Sequence, residues 1–254
     1  MTSPSLQTFV SLLKHVEAFS CLDIDDAPES PGLYAWYGIL KVGPQDWEMK
    51  LANGDDLGHK ACRSLLQKHT TRHASPPLSL EGRGTFASMW RGDLRDMTAE
   101  TLGALLAEDI SADGNATGGE SYPSQLNEVL GSSRTREILL KVLQVATPIL
   151  AAPVYIGVAK SLRSRLKQHT DLLFKLSKYV SKNPEARREL VNAPKSTFAS
   201  RAISMGFTVD TLTVWTLNLA SVYPEKEDQD VLRAVAETAE WLLNRWYRPM
   251  LGKR

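Results

Sequence analysis

Cysteine is scarce in this chain: Cys21 and Cys62 are the only two among 254 residues. Two thiols cannot build a disulfide scaffold or a zinc site, so a reducing cytoplasm is the expected location. Long apolar runs are missing as well. Nothing approaches the roughly 18 residues of a membrane span, so no membrane partner is expected. Met1–Ala18 mixes lysine, histidine and glutamate into its apolar pattern. That predicts an amphipathic helix over Leu6–Ala18 and not a signal peptide. There is no phosphate-cradling glycine loop, nucleophile elbow or nucleotide motif, which argues against NTPase, α/β-hydrolase and dinucleotide chemistry.

Net charge is also nearly absent, at +1, but the average hides its distribution. Lys160 to Arg201 carries eleven Lys/Arg against three Asp/Glu, while acids gather in Asp23–Glu29 and Glu225–Asp230. A phosphate-facing surface shows such asymmetry, and so does a solvated helical face. On the first reading Lys160, Arg163, Lys167, Lys195 and Arg201 are candidate nucleic-acid contacts. An apolar fraction of 43% with 23% charged residues describes an ordinary globular protein, one elaborated domain or two small ones.

Residues 153–169 carry the densest chemistry. Val154–Gly157 reads as a short strand that stops at a glycine, followed by an Arg/Lys-rich helix. Arg165 and His169, four apart, share one face of that helix beside the Tyr155 hydroxyl. A phenol, a permanent cation and a titratable ring at one spot could grip a phosphodiester and move a proton. Upstream, Pro31-Gly32-Leu33-Tyr34-Ala35-Trp36-Tyr37 reads as a glycine-started strand. Downstream, Glu240 sits in a helix running towards Arg248-Pro249.

On these residues the chain resembles the GIY-YIG nuclease superfamily. Gly32-Leu33-Tyr34 matches the first signature and Tyr155-Ile156-Gly157 the second. Arg165, His169 and Glu240 match the superfamily's helix positions. The resemblance implies an endonuclease that hydrolyses DNA with one divalent metal, in restriction, anti-phage defence or repair. RNA is left open as substrate, and a homodimer is an option for cutting both strands. Tyr34 would sit against the attacking water as its base or its orienting group. Arg165 would bind the scissile phosphate, and Tyr155 and His169 would hydrogen-bond it or relay the proton. Glu240 would hold Mg²⁺ or Mn²⁺, with Glu237 one turn earlier as its rival. The superfamily's later asparagine position falls on Gly252. A catalytically silent nucleic-acid-binding or scaffold protein is the alternative.

The expected fold is α/β (α+β): a small three-stranded sheet, mixed or antiparallel, flanked by helices. About 118 residues separate Tyr37 from Tyr155. The core would therefore comprise 1–37 and 153–254, with 38–152 as a mainly helical insertion between the first two strands. Loop-closure entropy grows slowly enough to tolerate one. Helices are expected at Gly58–His69, Thr98–Asp109, Arg134–Ala146, Leu172–Val180 and Asp230–Tyr247, and a strand at Phe207–Leu217. Ser111–Ser124 reads as a loop, and Ser181–Ser196 as a polar stretch. Cys62–Thr70 echoes Leu162–Thr170, and Thr85–Ser88 echoes Thr197–Ser200, as a decayed duplicate or by chance. His59, His69 and His73, near Asp55 and Asp56, read as basic surface rather than a metal cluster. Trp36, Trp215, Trp241 and Trp246 read as core, with base stacking as the alternative.

Overall fold

In the computed structural model the chain divides into two compact units, Met1–Lys41 with Ala146–Arg254, and Val42–Val145. The structure describes residues 14–73, 78–83, 89–94, 122–191, 197–222 and 229–252. The strands are β1 (Val16–Ser20), β2 (Gly32–Gly38), β3 (Leu51–Ala52), β4 (Asp55–Asp56), β5 (Leu78–Arg83), β6 (Met89–Leu94), β7 (Tyr155–Ala159) and β8 (Leu212–Asn218). The helices are α1 (Leu57–His73), α2 (Tyr122–Gly131), α3 (Ser133–Leu150), α4 (Leu162–Lys182), α5 (Ala186–Val191), α6 (Phe198–Ser204), α7 (Leu219–Val222) and α8 (Gln229–Tyr247). Among the described residues no helix is long and apolar enough to cross a membrane.

The first unit is built on a wholly antiparallel sheet in the order β1-β8-β2-β7. It has four strands, not three. The extra strand is β1, which takes Val16–Ala18 out of the helix expected over Leu6–Ala18; residues 6–13 lie outside the described residues. Long-range pairing decides this: Val16 faces Leu217 and Ala18 faces Trp215. Five residues are too few for periodicity to separate strand from helix.

The register explains why one sheet face is the core. Tyr34 and Trp36 of β2 share that face with Thr216 and Val214 of β8 and with Gly157 and Tyr155 of β7. Helix α4 covers it with Leu162, Leu166 and Leu173, all fully buried. Each contributes about 1.5–3 kcal/mol by leaving water. Ser161 caps this helix by accepting a hydrogen bond from the Ser164 amide. Leu172–Val180 continues α4 rather than forming a second helix, because Leu173 and Val180 extend the same buried stripe.

Gly157 does not end its strand; β7 runs on to Ala159. What requires glycine there is space. A Cβ on Gly157 would stand 2.5 Å from Tyr34 Oη, 2.6 Å from Tyr34 Cζ and 3.0 Å from Tyr155 Cε1. Both rings lean across the position, so any side chain would displace the buried tyrosine opposite. Strand β8 begins at Leu212, later than Phe207, because Val209–Thr211 forms a 3-10 turn with Thr208 capping it. Helix α5 lies within the expected polar stretch 181–196.

The second unit contains α1, α2, the start of α3 and two hairpins, β3-β4 and β5-β6. Asn53 and Gly54 turn the first hairpin with φ of 54° and 88°, the left-handed pair that a two-residue loop demands. Its organiser is Arg136, fully buried on α3. The guanidinium donates to the Leu130 carbonyl at 2.7 Å, the Trp47 carbonyl at 3.1 Å and the Asp56 carboxylate at 2.7 Å. Helix α2 starts at Tyr122 and so takes in the end of the loop expected over Ser111–Ser124. The helix expected at Thr98–Asp109 and the echo segment Thr85–Ser88 lie outside the described residues.

Candidate active site

Three elements bring four side chains together: Tyr34 from β2, Tyr155 from β7, and Arg165 and His169 from α4. Tyr34 Oη and His169 Nε2 are 2.9 Å apart. The two phenol rings have centroids 6.1 Å apart, and the imidazole lies 5.6 Å from Tyr34 and 6.0 Å from Tyr155. Tyr34 and His169 are only 2% and 6% exposed, whereas Arg165 is exposed at the surface above them.

The walls are aromatic. Phe198 stacks on Trp36 at 5.1 Å, meets the His169 ring edge-on at 5.0 Å and lies tilted against Tyr155 at 5.0 Å. Thr197 fixes Phe198 by capping α6, accepting from the Ser200 amide. Nothing in the motifs pointed to Phe198; the repeated Thr-Phe-Ala-Ser segment was the available signal. Trp36 is fully buried, and its Nε1 has no hydrogen-bond partner among the described residues.

Burial dominates the electrostatics of the cluster. It pushes the Tyr34 phenol well above its ordinary range, and the neighbouring Tyr155 adds to this while Arg165 opposes it. Burial also pushes His169 down to about 3, helped by the charges of Arg165 and Arg201. For Arg165, contacts with Tyr34 and Tyr155 outweigh burial, and the net shift is upward. At neutral pH the site therefore holds a neutral phenol, a neutral imidazole and a permanent cation. In the Nδ1–H tautomer, His169 Nε2 accepts the Tyr34 proton. The pair can then pass a proton from Tyr34 to His169 without either carrying charge at rest.

This has a stability consequence with a definite sign. The His169 pKa is lowered on folding, so as pH falls below about 6.5 the unfolded chain takes up the proton first. The stabilisation is present above that pH and is lost towards about 3. At pH 5 the loss amounts to about 2 kcal/mol. Urea melts at pH 7.5 and 5 should show His169→Gln losing less stability than wild type by that margin. Equal losses would mean that this ring titrates normally.

Glu240 lies half-buried on α8, on the same helical stripe as the buried Ala236, and its carbonyl accepts from Asn244 Nδ2 at 2.9 Å. Helix α8 packs against β7 and β2. The charge of Arg201 joins that of Arg165 in acting on His169. The structure thus joins four of the five candidates directly. Glu237 is exposed and accepts from Arg233 Nε at 2.7 Å. It lines, with Lys160, a cleft of about 290 Å³ between the end of β7 and the first turns of α8, separate from the phenols. A Cβ at Gly252 would stand 3.5 Å from Asn244 Oδ1, so an asparagine side chain comes near the position where the superfamily pattern has one.

Two of the candidate nucleic-acid contacts on the basic helix are paired with acids. Arg163 donates to the Ala27 carbonyl and to Glu29, each at 2.7 Å, and Lys167 pairs with Asp25 at 2.9 Å. That face of α4 holds the acidic 25–29 segment, while the Arg165/His169 face addresses the phenols. Lys160 is exposed, Arg201 half-buried, and Lys195 lies outside the described residues. Of the tryptophans read as core, Trp241 and Trp246 are exposed, with Arg245 stacked over Trp241 at 4.4 Å.

In the second unit His69 and His73 are not a basic surface. The His69 and His73 rings lie 4.3 Å apart and His73 bonds the His69 carbonyl. Burial and the adjacent His73 and Arg72 push His69 down to about 4, so it is neutral. Among the described residues no three His, Cys, Asp or Glu side chains gather as a metal site. Burial, with Asp210 nearby, pushes the Cys21 thiol up to about 12; burial also lifts Cys62 to about 11, so neither is a nucleophile at neutral pH. The echo pairs α1 with α4: Cys62 and Leu162 are both fully buried, but Leu65 stands where α4 has Arg165.

No family model, curated protein or solved structure matches this chain.

Proposed function

We propose that the chain is a divalent-metal-dependent endonuclease of GIY-YIG type, acting on DNA phosphodiester bonds in restriction, anti-phage defence or repair. The observation that carries this reading is the convergence of Tyr34, Tyr155, Arg165 and His169 from two antiparallel strands and one helix. On this reading β7, β2 and β8 correspond to the superfamily's three-stranded sheet, and β1 is an addition. Residues 38–152 form the insertion and supply target recognition.

The residues then divide the work. Arg165, exposed above the phenols, grips a non-bridging oxygen of the phosphodiester with its planar fork. Tyr155 hydrogen-bonds the phosphate. Tyr34 orients the attacking water and takes its proton as the phenol proton passes to His169 Nε2, 2.9 Å away. Its raised pKa argues against a resting phenolate. Trp36 and Phe198 keep the relay dry, which strengthens each interaction within it.

A single half-buried carboxylate, Glu240, suits Mg²⁺ or Mn²⁺, since magnesium keeps most of its waters and completes its shell with substrate phosphate. When bound, such an ion would supply positive charge to the leaving 3′ oxygen. The test is a cleavage panel of supercoiled plasmid, linear duplex, single strands, branched DNA and RNA, each with Mg²⁺, Mn²⁺ or EDTA. Cutting that EDTA stops and Glu240→Gln removes is the expected result. Tight binding without cutting on every substrate would replace this reading with a silent nucleic-acid-binding protein.

A further inference from the structure

The last turns of α8 carry an indole at the surface beside two cations. Trp241 is 54% exposed, and the Arg245 guanidinium lies over its ring at 4.4 Å. Four residues separate the two, so the helix sets one above the other. A cation over one face of an indole restrains the ring and leaves the other face to a second flat group. Among the described residues Arg245 makes no ion pair, so no carboxylate there offsets its charge.

Arg248 follows at the end of the helix, and its backbone is unusual. Its φ is 45°, the left-handed region that favours glycine, although the proline that follows pushes a residue towards extended backbone. Its amide closes the helix by donating to the Asn244 carbonyl at 3.1 Å, a capping task that glycine performs without steric cost. The side chain is exposed and makes no ion pair among the described residues. An arginine kept at a position suited to glycine points to a use for its guanidinium.

Charge and shape together select the occupant. An acidic peptide would use the cations and ignore the indole; an apolar helix would cover the indole and strand the cations. A single nucleic-acid strand uses both, since its unpaired bases expose π-faces and its phosphates meet the arginines. We propose that Trp241, with Arg245 and Arg248, forms a stacking platform for an unpaired base of single-stranded DNA. This rests on the nuclease reading and names its substrate class: DNA with unpaired bases beside the cut, such as a flap or branch. Trp241 directly follows Glu240, the carboxylate that the same reading assigns to the metal.

The plainer role of the Trp241–Arg245 pair is to stiffen the end of the helix. Fluorescein-labelled single-stranded, flapped and fully paired DNA of one sequence, and the single strand as RNA, separate the two. Binding is followed by anisotropy in EDTA, with thermal melts beside it. The platform predicts that Trp241→Ala weakens single-strand and flap binding roughly 5- to 150-fold, the effect of losing one stacked base. Duplex binding should stay within about twofold, because paired bases keep their π-faces inside the helix. Trp241→Phe keeps a ring and most of the affinity. Arg245→Gln and Arg248→Gln should each lower the single-strand salt slope by about 0.7. Trp246→Ala is the control and should bind like wild type: Trp246 is 68% exposed but lies five residues on, on another side of the helix. If Trp241→Ala melts early, Trp241→Met, apolar but without a ring, carries the test with the same selective loss.

Equal losses on paired and unpaired DNA, or unchanged single-strand binding, would overturn the platform and leave the nuclease reading to its cleavage panel. RNA bound as tightly, with the same dependence on Trp241, would support the platform and show that the sugar is not read. A dimer that sediments in wild type and is lost in Trp241→Ala, with single-strand binding unchanged, would assign this face to a second copy instead. If wild type binds single strands through Trp241 yet cuts nothing with Mg²⁺, the platform stands and the hydrolytic reading falls. No binding to any oligonucleotide overturns the platform.

Discussion

Arg165→Ala is expected to slow single-turnover cleavage roughly 10²–10³-fold, the loss typical of removing one pre-set donor from a site of developing charge. Arg165→Lys should recover only part of it. Lysine supplies the charge but not the planar fork, and here the side chain must reach two phenols and a phosphate at once. Duplex binding should weaken far less than cleavage falls, because the other cations of the surface still attract the backbone. Tyr34→Phe belongs to the same expectation. It removes the hydroxyl that His169 Nε2 meets at 2.9 Å and leaves a buried imidazole nitrogen unpaired. Single-turnover rates on the preferred substrate, beside anisotropy in EDTA, measure both effects. Cleavage within a few-fold of wild type for Arg165→Ala would remove the cluster from the chemistry, however well it is packed.

Arg136→Ala should cost the unit Val42–Val145 about 3–5 kcal/mol, a large share of what a domain of that size has. Three acceptors lose their donor together: the Trp47 and Leu130 carbonyls and the Asp56 carboxylate. The deletion also leaves a cavity where a fully buried side chain stood. Asp56 is 18% exposed and keeps backbone donors at Lys50 and Gly58, so its own loss is partial. Arg136→Lys should be nearly as damaging, since one ammonium cannot span three acceptors set in different directions. Hydrogen exchange reads the outcome by region. Amides of α1, α2 and α3 should lose protection by two to three orders of magnitude, while those of β2, β7 and β8 keep theirs. Protection unchanged in α1–α3 would show that the hub is dispensable.

What could be read in the residues, and what could not, follows from how local each cause is. The spacing of Arg165 and His169, one helical turn, placed both on one face. The stripe Leu162, Leu166, Leu173 marked the side of α4 that is buried. Asn53-Gly54 is a local hairpin signal, since both residues take the left-handed φ that a two-residue turn needs. By contrast, Val16–Ser20 is a strand only because β8, some two hundred residues later, offers it a partner. Gly157 looked like a strand end, yet it is a mid-strand gap left for two rings. Arg163 and Lys167 are read as phosphate contacts, and only the fold shows that they pair with Glu29 and Asp25.

The sequence by itself determined the candidate chemistry, namely which phenols, cation, imidazole and carboxylate are present and which two of them share a helix face, because helical and strand periods are local. Only the tertiary structure decided that Tyr34 bonds His169, that burial keeps both neutral and that Phe198 and Arg201 join them. Those outcomes depend on register, desolvation and packing between elements far apart in the chain, and none of these leaves a local signature.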